Sequence, residues 1–247
     1  MNLDRIIAVR NNKTVYRDNN RVIKLFAEDY SKADILNEAL NQARIEETGL
    51  CIPKVLEVTT LDGKWAIISE YIKGISLDRL MKENPKKESE FIKLFVELQT
   101  KINGLRSPLL SRQKDKMNLK ICAADIDATT RYDLHTRLDA MPKHCKVCHG
   151  DFNPSNIIIT EDGTPCVLDW SHATQGNGAA DAAITYLYFM QNQNEALAQK
   201  YISLYCEKSN STMDYLKSWL PIAAAAQSVK ATPAQREYLL SYVTDEA

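Results

Sequence analysis

The chain has 247 residues, 45 % hydrophobic and 26 % charged, with a formal net charge of −1. That composition supplies a sizeable core, and the near-zero charge offers no basic field for nucleic acid. No run approaches the ~20 apolar residues that a bilayer span needs, and MNLDRIIAVRNNK at the start has no apolar signal core, so a cytoplasmic chain with no membrane partner and six reduced cysteines is expected.

Alternation and turn residues predict strands over 4–10, 14–18 and 21–26, the last (RVIKLF) entered through Asn19–Asn20. In RVIKLF, Val22, Lys24 and Phe26 share one face, so Lys24 points with two apolar residues. Ser31 is a fitting N-cap, supported by Asp34, for a helix over 32–48 whose apolar residues Ile35, Leu36, Ala39, Leu40, Ala43 and Ile45 recur at helical spacing. Glu38 lies beside that stripe, while Glu46 and Glu47 compete with it nearer the helix end. Lys24 and Glu38 are the natural ion pair, against the plainer reading of a snorkelling lysine and a solvated glutamate. Two further strands, 53–59 and 64–70, flank Asp62–Gly63. SEYIKG then runs a strand into a Gly-ended linker, where a hinge between lobes belongs. There the Glu70 carbonyl and the Ile72 amide are candidates for the edge of an adenine; a plain loop is the alternative.

Beyond Gly74 the pattern turns helical: 77–83, 87–103, one or two helices within 105–142, then 179–190, 194–208, 213–230 and 233–243. Asp125, Asp127, Asp133 and Asp139 read as a solvated helix face, the alternative being contact with a cationic substrate. Asp181, among alanines at a helix start, reads as a brace for a nearby loop through loop N–H groups; its alternative is a partner for its own helix dipole.

The densest chemistry lies between His149 and Trp170, HGDFNPSNIIITEDGTPCVLDW. Two β-rich segments, 157–160 and 165–168, flank Asp162–Gly163. Read as a two-residue hairpin turn, that pair sets Asn156 directly opposite Asp169. Facing residues have Cβ atoms about 4.5–5.5 Å apart, so an amide oxygen and a carboxylate can share one hard cation such as Mg2+. Asp151, on the loop leading in, is placed to accept a proton from a substrate hydroxyl. His149 reads as a structural histidine tying down that loop. The C-x-x-C-H pattern at Cys145–His149 lacks the second ligand pair or export route that zinc or haem would need.

These motifs resemble the aminoglycoside phosphotransferase/choline kinase family of small-molecule kinases. The resemblance rests on RVIKLF, Glu38, SEYIKG, HGDFNPSN, VLDW and GNGAAD, spread over 20–181. It implies an α+β, bilobal protein-kinase-like fold: an N-terminal lobe over 1–72 with a small antiparallel sheet and one helix, and a larger, mainly helical lobe over 73–247. It further implies ATP or GTP with Mg2+ and transfer of the γ-phosphate to a hydroxyl of a small molecule. Asp151 would be the base, Asn156 and Asp169 the metal ligands, and Lys24 with Glu38 the phosphate clamp. One departure is the 10–14 loop, which has no glycine; Asn11 and Asn12, which tolerate positive φ, would have to stand in. It leaves a second expectation, a non-catalytic nucleotide-binding regulatory protein on the same scaffold. Acceptor identity and oligomeric state are not written in these motifs.

Overall fold

The computed structural model describes residues 5–10 and 12–244. In chain order the elements are β1 (Ile6–Arg10), β2 (Lys13–Asp18), β3 (Arg21–Phe26), α1 (Lys32–Glu46), β4 (Val55–Leu61), β5 (Lys64–Glu70), β6 (Gly74–Ser76), α2 (Leu77–Glu83), α3 (Glu88–Gly104), α4 (Gln113–Ala123) and α5 (Ala128–Ala140). There follow β7 (Lys146–Cys148), β8 (Ile157–Thr160), β9 (Pro165–Val167), β10 (Thr174–Gly176), α6 (Gly178–Gln191), α7 (Glu195–Ser209), α8 (Met213–Lys217), α9 (Leu220–Ser228) and α10 (Pro233–Thr244). The class is α+β, as expected.

By packing, the chain forms two compact units: Met1–Glu83 with Pro154–His172, and Asn84–Asn153 with Ala173–Ala247. This partition differs from a simple cut at residue 72, for a physical reason. β6 pairs antiparallel with β8, and β8 with β9, so the 154–172 segment is hydrogen-bonded into the first unit.

In that first unit a five-stranded antiparallel sheet has the order β1-β2-β3-β5-β4. The turn between β2 and β3 uses Asn19 at φ 53°, a conformation Asn tolerates; Asp62 and Gly63 at φ 49° and 81° make the β4–β5 turn. α1 is capped by the Ser31 hydroxyl, which accepts from the Asp34 amide at 3.3 Å. Phe26, Ile35, Ala39 and Ile67 form one core cluster, bordered by Tyr30, Val55, Val58 and Trp65; Ile23, Ala66 and Ile68 form a second. Burying one such Ile or Phe side chain is worth about 1.5–3 kcal/mol, so these clusters fix which strand face looks towards α1.

The second unit is mainly helical. Phe95, Phe152, Phe189 and Tyr201 stack with ring centroids 4.5–5.8 Å apart. The expected single helix over 213–230 is instead α8 and α9. Pro221 lies in the first turn of α9, where its missing N–H costs nothing, but it cannot continue a helix arriving from α8. No helix among the described residues is long and apolar enough to cross a membrane.

The expectation of six thiols fails for one pair. Cys51 and Cys166 are joined by a disulfide, with Cα atoms 4.6 Å apart. The Val167 amide donates to the Cys51 carbonyl at 2.9 Å, which sets the two backbones side by side.

Gly74 is a point of close approach between β6 and β8. A Cβ built there would stand 2.2 Å from the Ile159 carbonyl oxygen, whereas one at Gly104 would meet nothing within 4 Å. Gly74→Ala should therefore lower the stability measured by urea unfolding by about 1–3 kcal/mol, because backbone rather than a flexible side chain must shift. Gly104→Ala should leave it unchanged or raise it by about 0.5 kcal/mol. Equal effects of the two substitutions would contradict the close approach of β6 and β8.

Candidate active site

The site residues fall into two groups, one in each compact unit. In the first, β3 presents Lys24 on the same face as Phe26, towards α1, where Glu38 sits 5 % exposed. Lys24 Nζ donates to Glu38 Oε1, and the same ammonium lies 3.5 Å from Asp169 Oδ1. Burial pulls the Lys24 pKa down, but the charges of Asp169 and Glu38 outweigh it and hold the value above the ordinary lysine range. A raised lysine pKa contributes stability that is intact at and below neutral pH and is lost only as pH climbs past that range.

Lys13 is part of this cluster and was not singled out in the sequence. Its Nζ lies 3.8 Å from Glu38 Oε2. The signal was present: antiparallel pairing of β2 with β3 sets Val15 opposite Lys24 and Lys13 opposite Phe26, so Lys13 shares the face of Lys24. The Asn12 carbonyl accepts from the Ala27 amide at 2.9 Å; Asn11 lies outside the described residues.

The β8–β9 register corrects the expected facing of Asn156 and Asp169. Ile157 pairs with Val167 and Ile158 with Cys166, so Asn156 stands opposite Leu168, whose amide donates to the Asn156 carbonyl at 2.8 Å. The cause is the turn. The Thr160 carbonyl accepts from the Gly163 amide, and Gly163 takes φ 83°, giving the three-residue loop Glu161–Gly163 in place of a two-residue Asp-Gly turn. Asp169 then leaves the strand at φ 57°. For a non-glycine residue that conformation costs about 1–3 kcal/mol, so the surroundings must hold it. They do: Trp170 is fully buried, its Nε1 donates to the Val167 carbonyl at 3.1 Å, and Asn41 of α1 donates to the Ser171 carbonyl at 3.3 Å. The helix carrying Glu38 is thereby tied to the segment carrying Asp169.

Asn156 and Asp169 together provide an amide oxygen and a carboxylate. Among the described residues no group of three or more His, Cys, Asp or Glu side chains is arranged around a metal position. This sparse oxygen set suits Mg2+, which is held by one or two carboxylates and completes its shell with water and phosphate, better than zinc or calcium.

At the end of β5, the Glu70 amide donates to the Lys54 carbonyl at 3.0 Å, and its carboxylate accepts from the Lys54 amide at 3.3 Å. The Tyr71 amide donates to the Asn20 carbonyl at 2.9 Å, and Arg17 lies 3.8 Å over the Tyr71 ring. Among the described residues the Ile72 amide donates to no backbone acceptor.

In the second unit, the loop after β7 carries Asp151. Asp181, in the first turn of α6 and 1 % exposed, accepts from the Gly150 amide at 2.7 Å and the His149 amide at 3.2 Å. Asn103, also missed in the sequence, donates to Asp181 and to the Val147 carbonyl, and receives the Tyr205 hydroxyl at 2.8 Å. His149 is fully buried, and its Nδ1 accepts from the Asp151 amide at 3.3 Å. Asn153 donates to the Asp151 carboxylate at 3.2 Å, and the Thr185 hydroxyl donates to the Phe152 carbonyl at 2.9 Å. Cys148 is buried and its thiol faces the Asn177 carbonyl at 3.4 Å, while Cys145 is exposed.

With these groups in place, the comparison with known proteins is decisive on one point. The sequence profile of the phosphotransferase enzyme family matches residues 5–219. The chain belongs to that family. Solved structures agree on the fold. A thermostable mutant of aminoglycoside phosphotransferase APH(4)-Ia, in ternary complex with AMP-PNP and hygromycin B, superposes with a TM-score of 0.71 at 14 % identity, covering 97 % of this chain and 91 % of that one. Choline kinase LicA from Streptococcus pneumoniae gives 0.66 at 15 % identity, over 98 % and 94 %. Aminoglycoside phosphotransferase APH(3'')-Id from Streptomyces rimosus gives 0.60 at 15 %, over 89 % and 91 %. No curated protein matches the chain. As a phosphotransferase with the kinase-like fold of these structures, it is an enzyme.

Asp181→Ala would strand two buried loop amides. It should destabilise the protein by about 2–4 kcal/mol in urea unfolding. A change within about 0.5 kcal/mol would show that the 149–151 loop does not depend on this carboxylate.

Proposed function

We propose that the protein transfers the γ-phosphate of ATP, or GTP in its place, to a hydroxyl of a small molecule in a Mg2+-dependent reaction. The observation that carries this reading is the Lys24–Glu38 ion pair, with Lys24 3.5 Å from Asp169, in a chain of the phosphotransferase family. The nucleotide and antibiotic bound by the APH(4)-Ia mutant support it by analogy.

In this reading residues 1–72 serve as the nucleotide-binding lobe and 73–247 as the catalytic and substrate-binding lobe. Lys24 neutralises the α- and β-phosphates while Glu38 holds its ammonium in position. The Glu70 carbonyl and the Ile72 amide meet the adenine edge. Asn156 and Asp169 are the residues that would hold Mg2+, which when bound supplies positive charge against the charge developing on the phosphates. Asp151 accepts the proton of the acceptor hydroxyl. Its backbone is fixed by His149 and, through Gly150 and His149, by Asp181, so the base is oriented before substrate arrives. Little covalent chemistry is asked of the protein itself; its task is placing charges.

Asp151→Asn keeps the shape and hydrogen-bonding reach of the side chain but removes its basicity. Turnover in an ATP-consumption assay across amino alcohols, sugars, hydroxy acids and aminoglycosides should fall about 10²–10⁴-fold, while the thermal shift given by ATP with Mg2+ is retained. An Asp151→Asn protein with near-wild-type turnover would overturn the assignment of the base.

A further inference from the structure

Asp151 opens into a cavity of about 190 Å³, walled by α6 and by the α9–α10 corner. Its polar lining is Tyr188, Gln191, Gln227, Lys230 and Gln235. Asp151 is the one acidic residue in that lining. Three of the other carboxylates that might have met a cationic acceptor are engaged or placed elsewhere. Asp127 caps α5 by accepting from the Thr129 and Thr130 amides, Asp133 pairs with Arg137 at 2.7 Å, and Asp139 lines a different cavity.

The basic side chains converge instead. α4 packs on α9, and it carries Lys116 and Lys120 one helical turn apart, hence on one face. Lys116 donates to the Ala173 carbonyl at 3.4 Å. Lys120 is half-buried and, like Lys230, belongs to none of the ion pairs among the described residues. Burial lowers the Lys120 pKa, the positive charges of Lys230 and Lys116 lower it further, and Asp151 opposes them. Lys230 shares the cavity wall with Asp151, and Lys120 lies close enough to feel the charges of both, so the wall suits an anion better than a polycation. The cavity is also smaller than the ~300–1,000 Å³ that drug-sized ligands fill.

Resting on the kinase reading above, we propose that the acceptor is a small hydroxylated anion, its carboxylate or phosphate held by Lys120 and Lys230 and its hydroxyl turned to Asp151. In the reaction the acceptor oxygen forms a bond to the γ-phosphorus. The bond from that phosphorus to the β–γ bridging oxygen breaks, its electron pair leaves with ADP, and the hydroxyl proton passes to Asp151. Polycationic aminoglycosides are excluded as the natural acceptor by the same charges.

The test uses four probes on one three-carbon frame: D-glycerate, glycerol 3-phosphate, glycerol and 3-aminopropane-1,2-diol. Each is titrated calorimetrically into the full-length protein with ADP and Mg2+ present, and into Lys120→Met and Lys230→Ala variants whose folding is checked by thermal unfolding. At least one anion should bind about tenfold or more tighter than glycerol, the aminodiol should bind most weakly, and either substitution should erase most of the advantage. Which anion wins separates a carboxylate acceptor from a phosphate one. Glycerol or the aminodiol binding as tightly as both anions overturns the proposal. So does an anion advantage that survives both substitutions, or one that vanishes when AMP-PNP replaces ADP, since the lysines would then serve the transferring phosphoryl group. Failure of the kinase reading is recognised separately, as the absence of any ADP–Mg2+ thermal shift in the wild-type protein.

Discussion

A carboxylate taken out of water must be repaid by charge, and Glu38 is the place in the sheet unit where that demand is strongest. It is nearly inaccessible, on the inner face of α1, and two lysines from adjacent strands converge on it. Removing either partner of such a pair would leave an uncompensated charge in low dielectric, which is costly whatever the net worth of the pair itself. The pair is therefore a constraint on geometry. It fixes the rotation of α1 and the direction of the Lys24 stem, and it leaves the Lys24 ammonium within 3.5 Å of Asp169. The left-handed backbone at Asp169, anchored by buried Trp170 and by Asn41 of α1, completes the arrangement. Strain of this kind persists where surrounding structure over-determines it, and it is concentrated at sites with a chemical task.

The helical unit uses the same device with opposite partners. Here the buried carboxylate, Asp181, is satisfied by backbone amides of the loop bearing Asp151 and by Asn103, which in turn takes the Tyr205 hydroxyl. A network whose members are all hydrogen-bonded is rigid, and rigidity is what positioning catalysis requires. The disulfide between Cys51 and Cys166 adds a covalent tie in the sheet unit, close in sequence to Asp169.

Much of this was legible in the residues, and the failures have identifiable causes. Lys24 betrayed itself by sharing a strand face with Val22 and Phe26, and Glu38 by its place beside the apolar stripe of α1. Asp181 was visible because a charge among alanines needs donors. The facing of Asn156 and Asp169 was misread by one residue, because Asp-Gly is common to two-residue and three-residue hairpin loops, and only backbone φ separates them. The strands β6, β7 and β10 have three residues each, too few for a period of two to register. The apolar run from Met213 to Lys230 is continuous in pattern, and the break at Pro221 is steric. The Cys51–Cys166 pairing spans 115 residues and leaves no local trace. The lysines of α4 carry no signal of their own in the sequence until α9 is packed against that helix.

In the proposed reaction Asp169, with Asn156, is the point where a divalent ion would meet the nucleotide phosphates beside Lys24. Mn2+ in place of Mg2+ can be followed by its paramagnetic resonance during titration of the protein with ADP. The account predicts one Mn2+ bound per ADP in the wild-type protein and an affinity at least about tenfold weaker in Asp169→Ala of unchanged fold. Equal Mn2+ affinity in the two proteins, or no dependence of Mn2+ binding on ADP, would contradict it.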